Sequence, residues 1–332
     1  MNIKSSKFYR LVFLIVGLIT VAVVVYNIGV VNIYDNIRKT GWWFVAIIGI
    51  WGVIYLINTL SWYLIVCDSK ESRKKVPFRK LYKITISGYV INYVTPVVAI
   101  GGEPYRIMEL KKYVGGHKAT SSVILYSMMH IVSHFLFWLF SSVLVYFVSD
   151  TTPAVIAVLM GVGVFCLIAL YYFFKGYRYG LVAKTFRFLG KLPWAGKHIR
   201  KFNDRHQEDF QKVDAQISEL HSCRRGAFYG SLFVEFISRI VGCLEIYFIV
   251  LAVGQNITFF DSIILGAVSS LFANIMFFAP MQLGTREGGF WLATKGISMS
   301  AGLGLYISLI TRIRETFWII IGLLLMERGK RG

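Results

Sequence analysis

The sequence predicts an all-α polytopic membrane protein, and three observations carry that prediction. Hydrophobic residues make up 56% of the 332 positions, more apolar surface than a soluble domain of this length can bury. These residues gather in runs, several longer than the roughly 20 residues that span a bilayer. The formal net charge of +19 falls mainly between the runs, as in the cytoplasmic loops of membrane proteins. On a soluble chain such a charge would suggest nucleic acid. No basic-aromatic recognition motif accompanies it, so no nucleic-acid partner is expected.

The runs lie at 11–33, 42–66, 81–100, 121–149, 153–175, 227–253, 262–280 and 301–326. Lys4, Lys7 and Arg10 precede the first. That run is too long for a signal peptide and lacks a clear A-x-A-like site, so a retained first helix is expected. With the N-terminus inside, the second run returns to a loop rich in Lys and Arg (Lys70 to Lys83). If run 81–100 crossed fully, Arg106, Lys111, Lys112 and Lys118 would lie outside. So would the loop 175–226, which holds twelve Lys and Arg against five acids. Letting 81–105 enter and turn back keeps both segments inside. A second hairpin over 262–300, entering from outside, lets 301–326 end at an inner basic tail. The outer loops then hold Asp35, Asp150 and Asp261 against Arg38 and Lys39. The charge pattern thus predicts about six full transmembrane helices and two opposed re-entrant hairpins, with both termini cytoplasmic. Residues 1–332 form a single domain. Its loop at about 176–226 is expected to be amphipathic helix, because Phe210, Val213, Ile217 and Leu220 recur at helical spacing.

The two hairpin breaks are alike. The first reads PVVAIGGEPYR from Pro96 to Arg106, with Gly101, Gly102, Glu103 and Pro104 inside it. The second reads PMQLGTREGG from Pro280 to Gly289, with Gly284, Arg286, Glu287 and Gly288 inside it. Each glutamate follows its proline by seven residues, and an asparagine precedes each proline (Asn92, Asn274). Proline ends a helix and glycine permits the tight turn. Non-helical backbone at membrane depth is tolerated only inside protein or beside water. Opposed hairpins with related breaks predict an inverted repeat with a site between broken helices.

Further charges fall inside the apolar runs: Glu235, Arg239 and Glu245 in one, Arg312, Arg314 and Glu315 in another. Charges there must pair or line a wet cavity. Two readings stand. Glu235 with Arg239 and Arg312 with Glu315 share helix faces and pair locally. Alternatively, Arg106, Arg239, Arg286 and Arg312 line a cavity for an anionic group, balanced by Glu103, Glu235, Glu287 and Glu315. Arginine's planar fork suits phosphate or carboxylate.

Ser127, His130, His134 and Ser141 share one helix face. Zinc needs three or four ligands, so a hydrogen-bonded interior stripe is expected and no metal. A proton-linked role for the histidines stays open. The four cysteines have no metal or disulfide spacing. No P-loop, dinucleotide fingerprint or hydrolase nucleophile motif is present, so no cofactor is expected.

TPVVAIGGEPYRI, PMQLGTREGGF and TRIRETFW together resemble the lysylphosphatidylglycerol synthase transmembrane (flippase-like) family, the membrane half of the multiple peptide resistance factors. The resemblance runs from the first helix to Met326. It implies a multi-pass protein of a bacterial-type cytoplasmic (inner) membrane that handles phospholipids or lipid-linked molecules. It carries motif positions onto Pro96, Gly102, Glu103, Pro104 and Arg106, and onto Pro280, Gly284, Arg286, Glu287 and Gly288. Relatives are often richer in glycine where Met281, Gln282 and Thr285 stand here, so the substrate is expected to differ. The full synthases add a soluble aminoacyl-transferase domain. This chain ends at Gly332, so that chemistry is expected to be missing.

Three functions remain in view. The first is binding and translocation of an anionic phospholipid. The second is a membrane subunit of a lipid-modifying transferase with a separate enzyme partner. The third is a proton-coupled small-molecule carrier. The topology itself is testable by cysteine labelling. A cysteine at Lys112 should react with an impermeant maleimide only from the cytoplasmic side, and one at Ser300 only from outside. The opposite pattern at either position overturns the hairpin assignment.

Overall fold

The computed structural model describes residues 29–67, 70–94, 101–148, 152–179, 224–275 and 284–328, with isolated positions at 26, 211, 214, 215 and 218. These residues fold into helices α1 (Val30–Thr40), α2 (Trp43–Val66), α3 (Lys70–Lys75), α4 (Phe78–Val94), α5 (Gly102–Val114) and α6 (Gly116–Val148). They continue with α7 (Pro153–Tyr179), α8 (Arg225–Ala252), α9 (Phe259–Ile275), α10 (Thr285–Gly296) and α11 (Ala301–Arg328). Pro96, Pro280 and the four apolar residues Phe210, Val213, Ile217 and Leu220 lie outside the described residues.

Among the described residues, three helices are long and apolar enough to cross a membrane: Trp43–Val66, Gly116–Val148 and Pro153–Gly176. Helices α8 and α11, at 28 residues each, reach about 42 Å at 1.5 Å per residue. Both have the length of a span but carry charges mid-helix. The arms of the two broken segments are shorter. Helix α5 has 13 residues and α10 has 12, so each covers about 18–20 Å, less than a hydrocarbon core of roughly 30 Å.

Two boundaries differ from expectation. The tail of the first apolar run, from Val30, belongs to a separate short helix, and Gly29 before it has φ 83°. Residues 106–114, expected within an inner loop segment, continue helix α5. Gly115, at φ 80°, ends that helix, and α6 begins at the next residue. A left-handed glycine there lets two helices meet without a loop.

The chain repeats its own plan. A long helix, a 17-residue arm, a short arm and a long helix occur as α2–α4–α5–α6 and again as α8–α9–α10–α11. Packing repeats as well. Helix α4 packs on α2, α5 and α11, while α9 packs on α8, α10 and α6. The counterparts α2 and α8 lie against each other and run antiparallel. Trp43 stacks on Phe248 with centroids 5.6 Å apart, Trp51 bonds Glu245, and Ser61 Oγ lies 2.8 Å from Ser231 Oγ. At the far end, Arg224 donates to the Leu64 carbonyl at 3.1 Å.

Glycine sets how closely the arms approach. A Cβ at Gly102 would stand 2.2 Å from the Gly88 carbonyl oxygen, and one at Gly289 would stand 2.8 Å from Ser269 Cα. Gly288, the motif position, has open space around it, so its neighbour Gly289 makes the contact. Gly289→Ala should therefore destabilise the protein by about 1–3 kcal/mol through overpacking. Gly161→Ala on α7, where nothing lies within 4 Å, should leave the thermal midpoint in detergent unmoved. Equal midpoints for the two variants would contradict this packing.

Candidate functional site

The buried charges assemble into two clusters that share helix α4. The first forms where α4 gives way to α5. The N-terminus of α5 has backbone donors without intrahelical partners. Asn92 Oδ1 accepts the Gly102 N–H at 2.6 Å, and its Nδ2 donates to Glu103 Oε1 at 3.2 Å. Pro104, in the first turn of α5, removes a donor that the helix leaves unpaired anyway. Arg106 follows Glu103 by three residues and donates to the same Oε1 at 3.2 Å.

Arg106 is only 2% exposed. Its side chain folds over Gly88, where a Cβ would meet Nε at 2.4 Å. The guanidinium lies 4.7 Å from the Tyr89 ring centroid and 5.4 Å from that of Tyr126, so two electron-rich faces support the cation. Its Nε and Nη2 have no hydrogen-bond partner among the described residues, and neither has Glu103 Oε2.

Behind this pair lies a hydrogen-bonded chain. The Tyr89 hydroxyl lies 2.9 Å from that of Tyr126 and 3.2 Å from His130 Nδ1, and it accepts from Asn58 at 3.2 Å. His130 Nδ1 is 2.8 Å from Oε2 of the fully buried Glu235. Arg239 donates at 3.2 Å to both Ser133 Oγ and the His130 carbonyl. His134 packs edge-on against His130 with centroids 5.6 Å apart. Of the expected stripe, His130 bonds across helices, while Ser127 Oγ and Ser141 Oγ have no partner among the described residues.

The second cluster ties α10 to α11. Arg286 pairs with Glu315, which also accepts from the Tyr93 hydroxyl at 2.9 Å. Both Nε and Nη2 of Arg312 reach Glu287 Oε1 at 2.7 Å. Glu287 Oε2 accepts the Gly284 N–H at 2.8 Å, closing the start of its own helix. Gly284, at φ 79°, supplies the left-handed turn into α10. Asn274 donates back to Ser270 of its own helix at 2.8 Å and so does not repeat the bridging of Asn92. Arg314 forks onto Glu245 at 2.7 and 3.0 Å. Trp51 Nε1 also donates to Glu245, at 2.7 Å, and the Trp51 ring lies 3.8 Å beneath the guanidinium.

The structure places the eight sequence-predicted charges in two clusters, Glu103, Arg106, Glu235 and Arg239 in the first and Arg286, Glu287, Arg312 and Glu315 in the second. Glu235 bonds His130 rather than Arg239, and Arg312 and Glu315 each find a partner on α10. Acids and arginines balance one for one: Glu103, Glu235, Glu245, Glu287 and Glu315 against Arg106, Arg239, Arg286, Arg312 and Arg314. Segments 95–100 and 276–283 contain no ionisable residue. The side chains of Glu103, Glu287 and His130 are each 27% exposed. Sequence reasoning missed Tyr89 and Tyr93, one turn apart on α4, and the Trp51 partner of Glu245. Their signal was polar-tipped aromatics on a hairpin arm, which resemble interfacial anchors.

The family model for the lysylphosphatidylglycerol synthase TM region matches residues 10–323. The chain belongs to that family. It is a membrane protein related to lipid modification or transport. No curated protein and no solved structure matches it.

Breaking one side of a buried pair leaves a desolvated charge, at about 3–5 kcal/mol. Arg314→Met should cost that much by exposing Glu245, which is 4% exposed, to an apolar surrounding. Adding Glu245→Leu should recover most of the loss. A double-mutant cycle on thermal midpoints checks this; additive losses would show that the pair is not coupled.

Proposed function

We propose, from this family membership and from the state of Arg106, that the protein binds the headgroup of an anionic phospholipid or lipid-linked molecule and moves it across the membrane. The observation that carries the proposal is a buried guanidinium with two nitrogens unpartnered among the described residues, beside a partly exposed acid. A buried donor without a partner is costly, and a planar fork with free N–H groups suits a phosphate oxygen. The positive end of α5 adds to the attraction. Acyl chains would remain in lipid while the headgroup passes the clusters.

In this proposal α4–α5 and α9–α10 are re-entrant hairpins entering from opposite sides. The short arms support that reading, because neither spans alone. The antiparallel packing of α2 on α8, with the repeated order of elements, supports an inverted repeat. Six crossings then put both termini in the cytoplasm of a bacterial-type inner membrane. The family's name favours a second reading, a membrane subunit serving a lipid-modifying transferase. Lipid analysis of a deletion strain separates them. A missing lipid species supports the transferase, and normal totals with altered leaflet exposure support translocation.

A charge-assisted hydrogen bond contributes about 1.5–3 kcal/mol. Arg106→Gln should accordingly slow dithionite-detected movement of fluorescent phosphatidylglycerol in proteoliposomes roughly ten- to hundredfold, measured on protein that still elutes as a folded species. Unchanged movement in the double variant Arg106→Ala/Arg286→Ala would overturn the proposal.

A further inference from the structure

The charge balance at membrane depth constrains what else must move with an anion. With five acids against five arginines, the site is neutral when empty. An anionic headgroup entering it leaves one uncompensated negative charge in a poorly solvated interior. A proton taken up nearby would restore neutrality, provided some group can accept it without breaking an ion pair.

Four of the acids are held by arginine: Glu103, Glu245, Glu287 and Glu315. Glu235 is different. It is fully buried, and its partner at ion-pair distance is His130. Arg239, one turn along the same helix, spends its donors on Ser133 and the His130 carbonyl. The His130 side chain is 27% exposed.

The groups facing this acid–base pair can be named from each element around it. Helix α4 presents Tyr89, α5 presents Arg106, α6 presents Tyr126 and His134, and α8 presents Arg239. Helix α2 presents Asn58 and Ser61, which carry no charge. The α11 charges face Glu245 and α10 instead. The ions facing Glu235 are thus cations. Tyr89 connects the two places: its ring lies under Arg106 and its hydroxyl reaches His130 Nδ1. A phosphate on Arg106 cancels much of that cation's field at Glu235, so proton affinity there rises. By reciprocity, protonation strengthens anion binding.

We propose that Glu235 and His130 form a proton-binding site coupled through Tyr89 to headgroup binding at Arg106, so that each anionic headgroup is carried with one proton. The proton comes from water and returns to it, with no covalent step. This inference rests on the lipid-handling reading above.

The test uses the full chain in detergent, with dihexanoyl-phosphatidylglycerol as the anionic probe and dihexanoyl-phosphatidylcholine as the zwitterionic one. In weak buffer with an indicator dye, the anionic probe should cause uptake of about one proton per molecule bound, and the zwitterionic probe none. Affinity for the anionic probe should fall about tenfold per pH unit once pH exceeds the range in which the empty site holds the proton. Glu235→Gln should bind the probe with no proton uptake and a flat pH profile, and His130→Gln should reduce the uptake. Anionic binding that is pH-independent in the unsubstituted protein, or proton uptake that survives both substitutions, would overturn the coupling and leave the lipid reading intact. No binding of either probe at any pH would overturn both.

Discussion

A charge at membrane depth must be compensated within the protein, and helix α11 is where this constraint organises the fold. Successive helical residues turn by 100°, so Arg312 and Glu315 face one side and Arg314 the other. The first two engage Glu287 and Arg286 on α10. The third reaches Glu245 on α8, backed by Trp51 of α2. Three neighbouring charges on one helix thereby fix the positions of α2, α8 and α10. Buried pairs add little stability relative to apolar packing, but a misplaced one is expensive. The network therefore acts mainly against wrong registers.

Backbone breaks impose the second constraint, and the two halves meet it differently. At the first break a side chain from the opposite arm, Asn92, takes up the donors of α5. Glu103 then keeps one oxygen unpartnered among the described residues. At the second break Glu287 closes its own helix and also holds Arg312. Two motifs that look equivalent in sequence thus end in unequal states. The second is committed to structure, and the first retains hydrogen-bonding capacity. The proposed headgroup site is accordingly placed around Arg106.

The helical architecture was legible because apolar run length and loop charge respond directly to the bilayer. Glycines of the two motifs carry a readable local signal, since Gly284 has φ 79° and Gly102 packs on the Gly88 carbonyl. The pairing was not legible. The i,i+4 rule describes helices in water, where a neighbour on the same face is the nearest partner. In a bundle, a partner on another helix can be nearer and better aligned, as His130 is for Glu235. Tyr89 and Tyr93 were hidden by composition, since an aromatic with a hydroxyl suits both an interface and a core. Gly88 gave no signal at all. Its role depends on where Arg106 folds, and that is set by the return arm.

The close contacts also limit how the molecule can move. Gly102 against Gly88 and Gly289 against Ser269 leave no room for arms to slide within either broken segment. Each segment therefore moves as a unit. The contacts between the halves are of another kind. Gly322 of α11 meets the branched side chain of Val90 on α4, and the Tyr55 ring packs 5.5 Å from Tyr89 and 4.9 Å from Trp318. Side chains there can change rotamer where backbone contacts cannot. A headgroup passing between the clusters would have to part α4 from α11 while the Arg314–Glu245 fork holds α11 to α8. The hydrogen bonds between α4 and α11 that must yield in that case include Tyr93 to Glu315 and Ser87 to the Gly322 carbonyl. Their loss leaves Glu315 still paired with Arg286, so the opening step exposes no uncompensated charge.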